Sequence, residues 1–174
     1  MRSPFHDELV ARARVIDGHA DVLGMLAEAG VLRRAGAALA APFAGERIAK
    51  VAGLEARGFI LAAAVALELD AGFVAVRKPG SIHPGPKASV VTAPSWRGHA
   101  VTLAVQRAAV GNGERVLLVD DWAETGSQAL AAKHLIEKCG GEYAGLSMLV
   151  DQLSDDMRNA LAPVFAVADA AEFG

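Results

Sequence analysis

The stretch Val116-Leu-Leu-Val-Asp-Asp-Trp-Ala-Glu-Thr-Gly-Ser-Gln128 joins four apolar residues directly to two adjacent carboxylates and a Thr-Gly-Ser turn. A short, fully apolar run is typical of a buried strand in a parallel sheet. Amide N–H groups at the start of the following helix form an anion site, to which the hydroxyls of Thr125 and Ser127 add donors. Asp120 and Asp121 can accept hydrogen bonds from two neighbouring hydroxyls. The pattern predicts a ribose 5-phosphate site; the alternative is two solvated carboxylates and an ordinary helix N-cap at Thr125.

Apolar runs alternate with helical stretches along most of the chain. Further apolar runs lie at 48–54, 73–76, 143–150 and 164–167, and helical patterns lie at 58–69 and 126–138. This alternation predicts an α/β fold with a central, mostly parallel sheet flanked by helices. Ligands bind beyond the carboxyl ends of the strands in such sheets, so we expect the site in the segments after Leu54, Val76, Val119 and Val150.

Two segments depart from this alternation. Residues 1–47 are predicted to be mostly helical, with breaks at Gly30, Gly36 and Gly45, and to form a small N-terminal hood on a core of residues 48–174. Residues 79–98 are rich in Gly and Pro and predict a long loop without regular structure. The hood and the core together make one domain.

Composition excludes several classes of protein. The chain has 174 residues, of which 53% are hydrophobic and 21% charged, so it is neither disordered nor fibrous. A net charge of −3 gives no reason to expect a nucleic-acid partner. The apolar runs are too short to cross a membrane, and the N-terminus has no signal-peptide pattern. The single cysteine, Cys139, favours a reducing cytoplasm, and the five histidines show no spacing with it that predicts a protein-held metal.

Three loops carry a resemblance to a known family. The 13-residue stretch resembles the phosphoribosyl pyrophosphate signature of type I phosphoribosyltransferases. Val51-Ala-Gly-Leu-Glu-Ala-Arg-Gly-Phe-Ile60 is similar to the pyrophosphate loop of the adenine enzymes, and Val76-Arg-Lys-Pro-Gly80 with Pro84-Gly-Pro86 is similar to their next loop. The similarity covers about residues 48–167, and more loosely 21–26. Three loops in the same order are far more specific than one motif, and they imply the type I phosphoribosyltransferase fold.

The resemblance implies a role for each loop. Asp120 and Asp121 would bind the ribose hydroxyls, and Arg77 and Lys78 would neutralise the leaving pyrophosphate, although a solvated pair is the alternative for these two cations. Residues 79–98 would be a mobile lid rather than a plain surface loop. Mg²⁺ would be carried by phosphoribosyl pyrophosphate and not by the protein alone. The pyrophosphate loop, with a cis peptide between its first two residues, would be Glu55, Ala56 and Arg57. The 5-phosphate would be wrapped by Glu124, Thr125, Gly126, Ser127 and Gln128.

The chain departs from the adenine enzymes near the base. They usually carry Leu-Leu-Ala-Thr-Gly-Gly-Thr after the acidic pair, where this chain has Trp122-Ala-Glu-Thr-Gly-Ser-Gln128. Their lid commonly has a Glu-Tyr pair, which Thr92-Ala-Pro-Ser-Trp-Arg97 lacks. In the related 6-oxopurine enzymes a carboxylate at the position of Glu124 is thought to handle the proton of the base. We therefore expect Glu124 to be the catalytic residue; the alternative is a carboxylate that stabilises the helix start.

Base recognition is less defined by the sequence. Asp151 is an acceptor at the position where 6-oxopurine enzymes place a lysine, and it suits an amino or ring N–H group. Trp122 would stack on the base or pack beneath the loop. Because the segment around Asp21 has also drifted from the adenine pattern, a modified purine or a deazapurine is expected to serve better than adenine.

The function implied is transfer of the 5-phosphoribosyl group from phosphoribosyl pyrophosphate to a ring nitrogen of a purine-like base. The resemblance further implies purine salvage and a cytoplasmic homodimer. The alternative is a non-catalytic regulator that binds phosphoribosyl pyrophosphate or a nucleotide, although residues 1–47 show no helix-turn-helix pattern.

Overall fold

The protein is built on a central sheet of five parallel strands. The computed structural model describes residues 3–13, 15–16, 19–80, 84–93 and 100–173. In chain order the helices and strands are α1 (His6–Arg12), β1 (Val15–Ile16), β2 (His19–Ala20), α2 (Val22–Leu26), α3 (Val31–Ala40), β3 (Lys50–Leu54), α4 (Arg57–Glu68), β4 (Gly72–Val76), β5 (Lys87–Val91), β6 (Thr102–Gln106), β7 (Arg115–Ala123), α5 (Ser127–Lys138), β8 (Glu142–Asp151), α6 (Asp155–Ala160) and β9 (Val164–Asp169).

The order of the strands in the sheet is β4-β3-β7-β8-β9, and each neighbouring pair is parallel. The α/β prediction is therefore confirmed. Val116, Leu117, Leu118 and Val119 of the middle strand are all fully buried, because both faces of the sheet are covered.

Each face of the sheet has its own hydrophobic cluster. The first cluster packs the N-terminal helices and α4 against Leu117 and Val119. The second packs α5 and the β5–β6 hairpin against Val116 and Leu118. Burying one such Leu or Val side chain stabilises the fold by about 1.5–3 kcal/mol, so alternate residues of β7 fix a helical layer on each side.

Gly36 is not a helix break, contrary to the sequence prediction. It lies within α3, where the helix packs on α4. A Cβ added at Gly36 would stand 2.8 Å from the Cβ of Ala64, closer than real Cβ contacts come. The glycine is thus a point of close helix contact, which a single sequence cannot distinguish from a break.

The prediction of an unstructured segment at 79–98 is wrong for five residues. Lys87–Val91 forms β5 and pairs antiparallel with β6. Ala88 is buried and Val90 packs on the second cluster, so alternate side chains of this short strand face the core. The rest of the predicted lid includes 81–83 and 94–98, which lie outside the described residues, as does most of Thr92-Ala-Pro-Ser-Trp-Arg97.

The middle strand is longer than its apolar run. β7 continues through Ala123, because Asp120 pairs with Met148 and Ala123 with Asp151 of β8. The acidic pair therefore lies in the strand itself rather than in a loop after Val119. In the described part of the chain no helix is both long and apolar enough to span a membrane.

Candidate active site

The predicted site residues meet at the carboxyl edge of the sheet. The middle strand carries Asp120 and Asp121, and β3 and β4 on one side lead into Glu55 and Arg77. On the other side β8 ends at Asp151. The parallel arrangement brings these strand ends together, as the sequence predicted.

The side-chain alternation of β7 changes phase at the acidic pair. Leu117 and Val119 pack in the first cluster, and so does Trp122, whereas a regular strand would place Trp122 on the opposite face. The backbone pairing with β8 nevertheless stays in register, since Asp120 lies opposite Met148 and Trp122 opposite Val150. Asp121 is buried, whereas Asp120 is partly exposed as a residue although its carboxyl group is enclosed.

Asp121 is joined to the pyrophosphate loop by an ion pair. Its Oδ2 atom lies 3.0 Å from Nη1 of Arg57. The same oxygen is buried and accepts no well-aligned hydrogen bond from the described residues. The two subsites that the sequence assigned to ribose and to pyrophosphate are thus in direct contact.

Asp120 is held in a desolvated position beside a second carboxylate. Its Oδ1 accepts the backbone N–H of Asp121 at 2.9 Å. Burial of the carboxyl group and then the charge of Asp121 raise the pKa of Asp120 well above its ordinary value, against the opposing effect of the backbone hydrogen bond and Arg57. This carboxyl group takes up a proton more readily than an exposed aspartate does.

Gly58 permits the close approach of α4 to the acidic pair. A Cβ on Gly58 would stand 2.9 Å from Oδ1 of Asp120 and 3.1 Å from the carbonyl oxygen of Val119. The first turn of α4, whose amide groups carry partial positive charge, therefore lies against these carboxylates. This role of Gly58 was not predicted from the sequence, although Arg57-Gly58 stands in the quoted loop.

The pyrophosphate loop is braced by its own carboxylate. The Glu55–Ala56 peptide bond is cis, as the resemblance implied. Oε2 of Glu55 accepts the backbone N–H of Lys78 at 2.7 Å, and Oε1 lies 3.8 Å from Nη2 of Arg77. The backbone of Arg77 also exchanges two hydrogen bonds of 2.9 Å with Ala104 of β6. Glu55 thus holds the two cationic residues at the end of β4.

The predicted phosphate loop leads into α5. Gly126 precedes the helix with φ = 70°, and its carbonyl accepts the N–H of Leu130 at 2.9 Å. The N–H of Ser127 reaches Oγ1 of Thr125 at 3.4 Å, and the two hydroxyls are 3.1 Å apart. Gln128 lies in the first turn of the helix. The cap position is Gly126 and not Thr125, which leaves the loop hydroxyls close together near the helix start.

Helix α6 covers this loop from outside. A Cβ on Gly126 would stand 2.3 Å from Cγ of Met157 and 2.8 Å from Cδ2 of Leu153. The glycine is therefore required both by its left-handed backbone and by the side chains above it. Neither Leu153 nor Met157 carries a sequence signal for this contact.

Glu124 and Asp151 lie in contrasting surroundings. Glu124 is exposed and makes no hydrogen bond or ion pair with the residues that the structure describes. Asp151 is buried; its Oδ1 accepts the N–H of Leu153 at 2.7 Å, and its Oδ2 pairs with Arg158. Both oxygens of Asp151 thus face protein donors, and Arg158 is a partner that sequence analysis missed.

Trp122 packs and is also hydrogen-bonded. Its indole N–H donates to Oε1 of Gln152 at 2.9 Å. Its ring is half-buried against the first cluster, and the ring of Phe173 lies 6.4 Å away between centroids. Neither Gln152 nor Phe173 was singled out from the sequence.

The donors at this edge suit Mg²⁺. Carboxylate oxygens such as those of Asp120, Asp121 and Glu55 are the hard ligands that this ion prefers. Within the described ranges, no group of three or more His, Cys, Asp or Glu side chains could hold a metal ion.

Comparison with known proteins identifies the family. The model of the phosphoribosyl transferase domain matches residues 28–165. The adenine phosphoribosyltransferase of Cereibacter sphaeroides is 48% identical over 131 residues, which are 75% of this chain and 72% of that protein. The enzyme of that name from Myxococcus xanthus is 42% identical over 130 residues, 75% of this chain and 69% of its own length.

Solved structures agree with these relatives. The adenine phosphoribosyltransferase of Rhodothermus marinus has a TM-score of 0.80 at 32% identity, covering 94% of this chain and 98% of that one. The Giardia lamblia enzyme in complex with 9-deazaadenine has a TM-score of 0.79 at 29% identity, covering 92% and 97%. All four relatives are named as transferases, which supports an enzyme over the non-catalytic regulator. The chain belongs to the phosphoribosyltransferase family, as the resemblance of its three loops implied.

Proposed function

We propose that the protein transfers the 5-phosphoribosyl group of phosphoribosyl pyrophosphate to a ring nitrogen of a purine base and releases pyrophosphate. The contact between Asp121 and Arg57 carries this proposal. In phosphoribosyl pyrophosphate the diphosphate on C1 is next to the ribose hydroxyls. In the protein, the Arg57 cation lies 3.0 Å from the Asp121 carboxylate, which can accept hydrogen bonds from hydroxyl groups. The two side chains are therefore as close together as the diphosphate and the ribose hydroxyls that they would bind.

The binding roles follow from the chemistry of each group. Asp120 and Asp121 accept hydrogen bonds from the ribose hydroxyls, and the backbone and hydroxyl donors of residues 124–128 hold the 5-phosphate. Arg57, Arg77 and Lys78 oppose the charge of the diphosphate. Mg²⁺, held by the diphosphate with help from the carboxylates nearby, would supply further charge neutralisation.

The chemical step exchanges one bond at C1 for another. The base nitrogen forms its bond to C1 as the C1–O bond breaks, and pyrophosphate leaves with the electron pair. The base nitrogen also loses its proton, for which the exposed carboxylate of Glu124 is the proposed acceptor. The cations near Glu55 stabilise the charge that develops on the leaving oxygen.

Adenine is the first base to test. The relatives are named as adenine enzymes, and the Giardia structure holds an adenine analogue. Trp122 and Asp151 stay the predicted base contacts, but a base N–H would have to share the oxygens of Asp151 with Arg158 and the N–H of Leu153. The expectation that another purine serves better than adenine also stays a prediction, because Trp122-Ala-Glu replaces the usual residues after the acidic pair.

Turnover of a base panel tests the proposal. The purified protein should convert phosphoribosyl pyrophosphate with Mg²⁺ and at least one of adenine, hypoxanthine, guanine and their deaza analogues into the nucleotide and pyrophosphate. No turnover of any purine would reject the function. If adenine gave the highest kcat/KM, the departures near the base would not alter specificity.

Calorimetry tests the ribose subsite separately. Asp120→Asn and Asp121→Asn should each weaken binding of phosphoribosyl pyrophosphate by about 1.5–3 kcal/mol, the value of a hydrogen bond to a charged group. Asp70→Asn is the matched control, because Asp70 is exposed just beyond the far end of α4 at φ = 51°, a conformation that Asn also adopts. Unchanged affinity in the double variant D120N/D121N would remove the ribose assignment.

We also propose an oligomeric state and a compartment for this protein. The family resemblance implies a cytoplasmic homodimer. Exposed apolar side chains support association: Leu67 is 85% exposed, and Ile60 and Phe73 are also exposed on α4 and β4. Sedimentation of the full chain should therefore give twice the mass of one chain, and Leu67→Glu should shift it toward one.

A further inference from the structure

The base must approach from the β8 side of the site, if the proposed function holds. β7 is the middle strand, and the residues assigned to pyrophosphate follow β3 and β4 on one side of it. In a direct displacement at C1, the nucleophile enters opposite the leaving group. Near the end of β7, the side chain of Trp122 reaches toward that opposite side, where it contacts Gln152 after β8 and lies near Phe173 after β9.

The indole of Trp122 fixes the orientation of the Gln152 amide. An indole N–H can only donate, so the group that it meets at 2.9 Å must be the amide oxygen. The NH₂ group of Gln152 is therefore turned away from Trp122. Gln152 is exposed, and its Nε2 donates no hydrogen bond to the residues that the structure describes.

Trp122 is itself well anchored. Its ring packs on the first cluster and lies near Phe173, so the indole N–H has a defined position. Asp151, the neighbour of Gln152, has both carboxylate oxygens engaged by Arg158 and the N–H of Leu153. At this strand end the available polar group is thus an amide donor and not a carboxylate acceptor.

We propose that Gln152 determines base specificity by donating a hydrogen bond from Nε2 to an acceptor on the purine, a ring nitrogen or a carbonyl oxygen. Trp122 is the positioning residue that keeps this donor turned toward the base. The proposal deepens the proposed function and rests on it. It predicts that the bound purine presents an acceptor, and not an amino group, at this edge.

Gln152→Glu tests the donor with little change in shape. The carboxylate can still accept the indole N–H, but it has no hydrogen to donate. The dissociation constant of the purine that is the best substrate should rise by roughly three- to tenfold, the effect of losing one neutral hydrogen bond. The KM of phosphoribosyl pyrophosphate should stay unchanged. Gln106→Glu is the matched control, since Gln106 lies on β6 and donates to the carbonyl of Pro84.

Analogues identify the acceptor on the base. The test uses a set of purine analogues, each of which lacks one ring nitrogen or the 6-oxygen. One analogue should bind weakly to the wild type, and its affinity should not change further in Gln152→Glu. A loss of the same factor for every purine, or no loss, would overturn the role of Gln152. Trp122→Phe keeps an aromatic ring but frees the amide to rotate, so selectivity among the analogues should narrow; unchanged selectivity would overturn the positioning role.

The outcomes separate this inference from the function beneath it. A wild-type protein that turns over no purine rejects the proposed function. If the wild-type protein turns over purines and Gln152→Glu leaves the base selectivity unchanged, only the specificity role is rejected.

Discussion

Nη1 of Arg57 lies 3.0 Å from Oδ2 of Asp121, and the two side chains differ sharply in exposure. The side chain of Asp121 is 4% exposed, whereas that of Arg57 is 46% exposed. Breaking such a pair leaves a buried charge without its partner, which costs more than the pair itself contributes. Arg57 therefore stabilises the folded chain through Asp121, and a bound diphosphate would compete with Asp121 for the same cation.

A double-mutant cycle measures this relationship. Arg57→Met should lower the free energy of unfolding by about 1–3 kcal/mol, because Asp121 is left unsatisfied. Asp121→Asn in the same chain should restore part of that loss, with a coupling of roughly 0.5–3 kcal/mol in urea unfolding.

The control for that cycle is the pair of Arg34 and Glu8. These side chains are bonded at 2.6 and 2.8 Å but lie at the surface, where solvent screens the attraction. Arg34→Met with Glu8→Gln should show clearly smaller coupling. Equal coupling in the two cycles would mean that burial of Asp121 adds nothing.

Asp120 should make the stability of the empty enzyme depend on pH. Its pKa is raised by burial and by Asp121, so the folded chain binds this proton more tightly than the unfolded chain does. The stabilisation is present when Asp120 is protonated and is lost as pH rises through the raised pKa. Each unit by which folding raises the pKa corresponds to about 1.4 kcal/mol in the free energy of unfolding.

Asp120→Asn removes this titration. At neutral pH the variant should have a higher Tm than the wild type, and the difference should narrow as pH falls toward 3.8, the ordinary value for Asp. When both proteins also carry Asp121→Asn, the Tm difference between them should narrow at a lower pH, because the charge of Asp121 no longer raises the pKa of Asp120. A Tm difference that stays constant across this range would contradict the assignment.

Gly126 should tolerate no side chain, for two separable reasons. Gly126→Ala meets both a left-handed backbone and the Cγ of Met157 at 2.3 Å. Gly113→Ala is the matched control, with φ = 74° and nothing within 4 Å of the added Cβ. The control should lose about 1–2 kcal/mol of stability from backbone strain alone, and Gly126→Ala should lose more.

Substrate binding distinguishes the two glycine variants further. Gly126→Ala should weaken binding of phosphoribosyl pyrophosphate, because the loop must move from α6, while Gly113→Ala should leave it unchanged. Equal losses of stability in urea unfolding and equal affinities in calorimetry would show that α6 does not constrain the loop.

The sheet was predictable because its strands are continuous apolar runs. Val116–Val119 is buried on both faces, and that pattern identifies a parallel strand from the sequence alone. The ends of elements were less predictable. β7 runs on through Asp120 and Asp121 because pairing with β8 continues past the apolar residues, and polar residues in a strand give no periodic signal.

The partners of the site residues were not predictable. Arg158 pairs with Asp151, and Gln152 meets Trp122 across 30 positions, since both contacts depend on how α6 and the strand ends pack. Gly36 and Gly58 were similarly ambiguous, because a glycine that admits a neighbouring backbone looks the same as one that ends a helix. Motifs predicted where the candidate site lies, whereas tertiary packing decides what each side chain faces.

Glu124 is the residue of the predicted phosphate loop that could also accept the proton of the base. The residue follows the strand of the acidic pair by one position, is exposed, and makes no contact in the described part of the chain that would fix it as a structural group. If it accepts the proton of the base, Glu124→Gln should preserve binding of both substrates and lower kcat by roughly 10²–10⁴-fold. The variant should also lose one limb of the pH–rate profile. If Glu124 only favours the start of α5, the variant should lose about 0.3–1 kcal/mol of stability and keep its kcat. Single-turnover rates of both proteins across about pH 5 to 9 separate these outcomes, and an unchanged rate with an unchanged profile would exclude Glu124 from the chemistry.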